Sequence, residues 1–190
     1  MPRHRVRREA AQRPEPPELT DGAAAAMEIA VRYLATRPRT RWELERRLRR
    51  AGVEDPGVEA TLERLAQIGY VDDAAFARWW GEQRDRHAPR GRRMIEAELR
   101  QHGIGRDVID DYRAEHASPE RVPEDVSLPG SEADRARAAL DRHLHGRPLP
   151  SEARALQRVG MFLVRRGFDP KTVRSTLRAA GSSDATDEVS

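Results

Sequence analysis

Leu48-Arg49-Arg50-Ala51-Gly52-Val53 decides the fold. The pattern recurs as Leu99-Arg100-Gln101-His102-Gly103-Ile104 and as Leu163-Val164-Arg165-Arg166-Gly167-Phe168. Each run ends a stretch whose apolar residues fall at helical spacing. A glycine at C′ adopts the left-handed conformation that closes a helix. The leucine then stands at C3 and the apolar residue after the glycine at C″, which touch in a Schellman closure. Asp55-Pro56-Gly57-Val58 and Asp169-Pro170-Lys171-Thr172-Val173 follow the first and third runs. In both, Asp is the expected N-cap and Pro the first helical residue of a new helix. Gly105-Arg106-Asp107-Val108 follows the second run. The glycines lie 51 and then 64 residues apart. This predicts one helical unit used three times, with an insertion before the last copy. The expected fold is all-α: three tandem three-helix repeats forming an elongated, curved array.

Composition agrees with such an array. Hydrophobic residues are 37% of the chain and charged residues 35%, which suits helical layers with broad solvated faces better than one large core. The net charge is only +3, yet the pI is near 9.9 because nearly all the base is arginine, Lys171 being the one lysine. Arginine has GC-rich codons, so a GC-rich genome is the plainer reading of this bias. Guanidinium also pairs phosphate in a bidentate fork, the functional reading of the same bias. The chain has no cysteine, which excludes disulfides, thiol catalysis and Cys-based zinc sites. No apolar run approaches the roughly 20 residues needed to span a bilayer, and nothing resembles a signal peptide. The expectation is a cytoplasmic protein without a membrane partner.

Residues 1–21 read as a disordered basic arm (Arg3, Arg5, Arg7, Arg8 and Arg13, then Pro14, Pro16 and Pro17). Such an arm serves as a solubilising tail or adds non-specific attraction to nucleic acid. Repeat 1 is expected over 22–70. Thr40-Arg41-Trp42-Glu43 has the form of a capping box, and Leu44 and Leu48 line one face of the helix it opens. Gly69 is a fourth stop, with Leu65 and Tyr70 as its clasp. Repeat 2 is expected over 71–117, with Phe76, Trp80, Ile95 and Leu99 facing its core and Val108, Ile109 and Tyr112 marking its last helix. Residues 118–131 read as a proline-rich acidic linker. Repeat 3 follows over 132–180, with Ser151 capping the helix that carries Val159, Phe162 and Leu163. Residues 181–190 read as a disordered acidic tail.

No catalytic, cofactor or metal constellation is present in the sequence. Asp72-Asp73 has no carboxylate or histidine at i+3 or i+4, so the pair is read as a helix cap and a dipole partner. His143 and His145 lie two apart and point to different faces of a helix. Most other carboxylates neighbour arginines, as on solvated faces. The few aromatics sit at core spacing, which leaves no platform for unstacked bases. The expectation is a protein without enzymatic activity and without cofactors.

At this point the chain resembles a known family. Gly69-Tyr70-Val71-Asp72-Asp73, Phe76-Ala77, Arg84, Gly91, Ile95, Glu98-Leu99 and Gly103-Ile104 resemble the signature of RecX, the bacterial regulator of the RecA recombinase. Leu163, Arg165-Arg166-Gly167-Phe168 and Val173 resemble its last repeat. The similarity runs from about residue 23 to 180. The basic arm and the length of the linker depart from the family pattern. The resemblance implies binding to RecA, and to RecA filaments on single-stranded DNA. It further implies inhibition of ATP hydrolysis, strand exchange and coprotease activity in DNA repair and the SOS response. The residues expected to meet RecA or DNA phosphates are Arg46, Arg47, Arg49, Arg50, Arg92, Arg93, Arg100, Arg165 and Arg166. Single- or double-stranded DNA is a further expected partner, and a monomer the expected state. Two other classes fit the bare pattern: a helix-turn-helix-like DNA-binding protein acting without RecA, and a helical interaction scaffold.

Overall fold

The computed structural model describes residues 21–117 and 129–187. Nine α-helices run through them: α1 (Asp21–Leu34), α2 (Arg41–Arg50), α3 (Asp55–Gln67), α4 (Asp73–His87), α5 (Arg92–Gln101), α6 (Arg106–Ala117), α7 (Glu132–Leu144), α8 (Ala153–Arg165) and α9 (Pro170–Asp187). Helix packing groups them as α1–α3, α4–α6 and α7–α9, an all-helical array of three-helix units. Apart from Asp21, the first residue of α1, the expected basic arm lies outside the described residues, as does most of the linker. Ser131, at the linker's end, caps α7 through a capping box with Asp134. The stretch read as a tail is helical as far as Asp187.

All four stops close as Schellman motifs. Gly52, Gly69, Gly103 and Gly167 have φ between 76° and 89°. In each, the amide after the glycine donates to the C3 leucine: Val53 to Leu48, Tyr70 to Leu65, Ile104 to Leu99 and Phe168 to Leu163. The clasp is buried at Leu99–Ile104 and Leu163–Phe168. At Gly69 it is absent: Tyr70 is 59% exposed, and Val71 turns into the core in its place.

Two of the expected caps are corrected. Asp55 is not an N-cap: Glu54 holds that position without a side-chain bond, and Asp55 pairs with Arg49 at 3.1 Å. α8 likewise starts after Glu152 rather than after Ser151. Asp169 does cap α9, accepting from the Lys171 and Thr172 amides at 2.8 and 3.0 Å. The Thr40–Glu43 capping box forms as read.

Each unit has its own small core. Leu44, Leu48, Leu62 and Leu65 fill the first, Phe76, Ile95, Leu99 and Ile109 the second, and Ala136, Leu163, Phe168 and Val173 the third. Units of this size lie near the lower limit of independent stability, so their junctions matter. Both junctions are built alike: the N-terminus of one unit's second helix meets the stop of the next unit's second helix. At the first, the buried Thr40 hydroxyl donates to the His102 carbonyl at 2.7 Å and accepts the Glu43 amide at 3.1 Å. Trp42 lies over Gly103. At the second, the Gly91 amide donates to the Arg166 carbonyl at 2.9 Å, and Met94 lies over Gly167. A Cβ on Gly91 would collide with the Gly167–Phe168 backbone. The second helices therefore run end to end, each carboxyl terminus against the amino terminus of the preceding unit's helix, a favourable dipole arrangement.

Side chains strengthen both junctions. Asp73 accepts the Arg41 amide at 2.9 Å, so it serves the first unit's α2 rather than its own helix. The second junction buries an ion pair, Arg135 with Asp85 at 3.1 Å, at about 4% exposure each. Removing one partner of such a pair costs roughly 3–5 kcal/mol, because the other charge stays buried.

The third unit differs in one respect. Thr40 and Gly91 each precede their stop glycine by 12 residues, whereas the residue 12 before Gly167 is Ala155, already inside α8. α8 is thus one turn longer than α2 and α5.

A glycine-to-alanine series separates local strain from docking. Gly52 has no atom within 4 Å of where a Cβ would stand, whereas at Gly103 and Gly167 that Cβ would come within 2.5 Å of Trp42 and Met94. Gly52→Ala is expected to cost about 1–2 kcal/mol for the left-handed backbone alone. Gly103→Ala and Gly167→Ala are expected to cost clearly more in urea unfolding. Equal costs at all three would refute the docking role.

Candidate nucleic-acid interface

The nine arginines singled out in the sequence fall into two groups. Arg46, Arg47, Arg50, Arg93 and Arg165 are exposed and form no ion pair among the described residues. Of these, Arg46 is ordered by stacking on Trp42 at 4.3 Å. The other four are engaged internally. Arg49 pairs with Glu45 at 2.7 Å and with Asp55 at 3.1 Å. Arg92 and Arg100 flank Glu96 at 3.9 and 3.3 Å. Arg166 is half-buried, lies 4.8 Å from the Phe162 ring centre and donates to the Pro89 carbonyl at 3.4 Å. Counted from the stop glycines, only Arg49 with Arg100 and Arg50 with Arg165 occupy matching positions. The rest share a helix but not a register.

Two buried carboxylates on α5 organise the middle unit, and sequence reading missed both. Glu96 and Glu98 lie between core positions Ile95 and Leu99, and their arginine neighbours in the sequence suggest solvated faces. Each is only 7% exposed. Glu98 accepts from Trp80 Nε1 and Arg84 Nε at 2.8 Å each and meets Arg90 at 2.5 Å. That joins α4, α5 and the strand of chain leading to Gly91, and so fixes the second junction. Glu96 takes a fork from Arg113 (Nε at 2.8 Å, Nη2 at 3.0 Å) beside Arg92 and Arg100. The signal available in the sequence was five arginines within reach of α5, more charge than exposed glutamates organise.

Arg113's hydrogen bonds hold the Glu96 carboxyl below its ordinary range; burial opposes them, and the charges of Arg113, Arg100 and Arg92 add to them. Burial also pushes Glu43 upward, but Arg37 at 2.7 Å and His102 outweigh it, so Glu43 too is lowered. His102 Nδ1 lies 3.1 Å from Glu43 and its ring packs on Phe76 and Trp80, so this carboxylate faces the first junction. Burial raises Asp73.

Residues 26–65 match the model of the RecX first three-helix domain, and 72–112 that of the second. A "Regulatory protein RecX" of Thermobifida fusca is 38% identical over 165 residues, which cover 83% of this chain and 82% of the relative. The chain belongs to the RecX family. Another RecX, from Mycobacterium avium, is 35% identical over 144 residues, 75% of this chain and 77% of its own. The crystal structure of RecX from Lactobacillus salivarius superposes with a TM-score of 0.68 over 84% of this chain and 97% of that one, at 15% identity, a likeness of fold alone. A second RecX crystal structure gives 0.60 at 25% identity, over 81% of this chain and 70% of that one. Among the described residues of this RecX chain, no helix is long and apolar enough to cross a membrane. No group of three metal-ligating side chains occurs among them either.

A depressed carboxylate stabilises the fold above its unfolded pKa and loses that contribution as pH falls through the folded value. Glu96, ordinarily near 4.5, therefore supports the middle unit at neutral pH and stops doing so in acid. Arg113→Ala is expected to raise the Glu96 pKa, since burial then acts with less opposition. Carbon-detected carboxyl titration checks this. An unchanged Glu96 would show that Arg113 does not hold it.

Proposed function

We propose that this protein binds RecA filaments on single-stranded DNA and restrains RecA's ATP hydrolysis, strand exchange and coprotease activities. In this reading it is a non-enzymatic regulator of DNA repair and the SOS response, acting in the cytoplasm as a monomer. Family membership supports the reading, and one structural observation carries it. The second helices α8, α5 and α2 lie end to end, and free guanidiniums stand on all three. At 1.5 Å per residue they add to roughly 50 Å, a length suited to lying along a filament groove and touching several protomers. Arg46, Arg47, Arg50, Arg93 and Arg165 are the side chains proposed to meet DNA phosphates or acidic RecA surface. Arg49, Arg92, Arg100 and Arg166 stay on their internal partners and shape the helices that present the others.

The direct test is ATP hydrolysis by RecA of the same organism on single-stranded DNA while this protein is titrated in. Inhibition is expected. Inhibition well below one molecule per RecA protomer would point to capping or disassembly of filaments rather than coating. Unchanged hydrolysis with intact filaments by electron microscopy would overturn the reading.

The two arginine groups should also behave differently in salt. Replacing Arg47, Arg50 and Arg165 by alanine is expected to flatten the plot of log affinity for RecA–DNA filaments against log salt. Each phosphate contact on a single strand contributes about 0.7 to that slope. Arg49→Ala, which breaks internal pairs, is expected to leave the slope unchanged. The same slope for both variants would mean that the free guanidiniums do not reach phosphate.

A further inference from the structure

His143, at the end of α7, lies between two cavities. The smaller, about 260 Å³, opens where the second and third units meet and is lined by His87, Arg142, His143, His145, Phe162 and Arg166, among others. The larger, about 580 Å³, is lined by His143, Arg147, Pro148, Pro150 and Arg158, among others. Together the linings carry four arginines and three histidines, and among the described residues no carboxylate lines either cavity. The chain as a whole has nearly as many acidic residues as basic ones, 32 against 35. Several arginines elsewhere are matched: Arg84 and Arg90 by Glu98, Arg113 by Glu96, Arg137 by Asp141. Here they are gathered unmatched around concave space.

Most of these side chains are also held in place. His143 stacks on Phe162 with ring centres 3.9 Å apart and planes 15° from parallel, and Arg166 lies over the same ring. Arg142 donates to the Arg86 carbonyl at 2.9 Å and Arg147 to the Leu144 carbonyl at 3.0 Å. His145 closes α7 with φ 52° in the left-handed region. Such anchoring removes much of the entropy cost of ordering arginines on a ligand. Burial, and then the charges of His145, Arg147, Arg166 and Arg165, hold His143 below its usual range. Burial and the nearby Arg90 and Arg142 lower Arg166. Like charges are kept together here, and Asp141 on α7 is paired with Arg137.

We infer that these paired cavities are a binding site for phosphate groups, built by Arg142, His143, His145, Arg147 and Arg158, with Arg166 adding its charge from its place on Phe162 and the Pro89 carbonyl. Guanidinium forks and imidazolium donors match phosphate oxygens, and several cations around adjoining cavities exceed what one carboxylate would balance. The phosphate can belong to a nucleic-acid backbone or to a free nucleotide or inorganic ion. The site does not rest on the RecA reading, because its test contains no RecA.

Binding must also draw a proton onto His143. A phosphate beside the ring favours the imidazolium, so affinity rises as pH falls from about 8 to about 6. The charged groups around this ring are His87 from α4, Arg90 ahead of α5, and Asp141, Arg142 and His145 from α7 and its end. Arg147 follows α7, and Arg158, Arg165 and Arg166 come from α8. A phosphodiester keeps its charge across that range, so the pH dependence is its own readout.

The test uses the full chain, isothermal titration calorimetry and the imidazole NMR signals, with oligo-dT and inorganic phosphate as probes. Oligo-dT is expected to bind, to raise the His143 pKa, and to bind more tightly at the lower pH. Arg142→Gln and Arg158→Gln, one in each cavity, are each expected to weaken binding by about tenfold. Arg137→Gln, outside both linings and paired with Asp141, is expected to leave it unchanged. Binding of both probes assigns a general phosphate site, and binding of oligo-dT alone assigns a backbone site. If neither probe moves the His143 signal, or if Arg137→Gln weakens binding as much as the lining variants do, the inference is overturned.

Discussion

The carbonyl groups of His102 and Arg166 carry the contact on which the assembly of this chain depends. Each is the last turn of a helix closed by a left-handed glycine, and each accepts a donor from the N-terminus of the preceding unit's second helix. Carbonyls that a helix end leaves unpaired thus find donors across the junction, the Thr40 hydroxyl at the first and the Gly91 amide at the second. The glycine does more than close its helix. Having no Cβ, it leaves room for Trp42 at one junction and Met94 at the other. One residue type thus serves local geometry and tertiary docking at once, and small cores become a stable array.

The local half of this device was legible in the sequence. Leucine, three intervening residues, glycine and an apolar residue specify a Schellman closure without knowledge of the rest of the chain, and all four stops form. Family motifs and buried faces were legible for the same reason. What was not legible is non-local. Asp73 looked like a dipole partner for its own helix, yet it receives an amide from α2, 32 residues earlier. Tyr70 follows its stop as a clasp residue should, but Val71 takes the buried place. Asp55 sits one residue too late to cap, because the helix begins after Glu54.

Charge was the hardest pattern to read, because sequence gives proximity along the chain and not burial. Glu96 and Glu98 are two residues apart, flanked by arginines, and look like a solvated face. In the fold they are buried anchors that hold Arg113, Arg84 and Arg90. Arginine therefore does two jobs that composition cannot separate. Some guanidiniums are internal struts between helices, while others, such as Arg47 and Arg165, extend into solvent without a partner. The candidate interface in the sequence mixed the two, and only the pairing distances sort them.

The added turn of α8 turns the array into something of fixed size. A junction that joins unlike surfaces head to tail has no internal reason to stop, since every new unit recreates the surface that accepted it. At one end, no described residue stands within 4 Å of where a Cβ on Gly52 would be, whereas Trp42 and Met94 fill that place at Gly103 and Gly167. At the other, α8 overruns the place from which Thr40 and Gly91 reach out, so a second copy cannot supply that contact in the same register. In that register one end of the array is closed to a further copy, so its span among the described residues is set by its own three units.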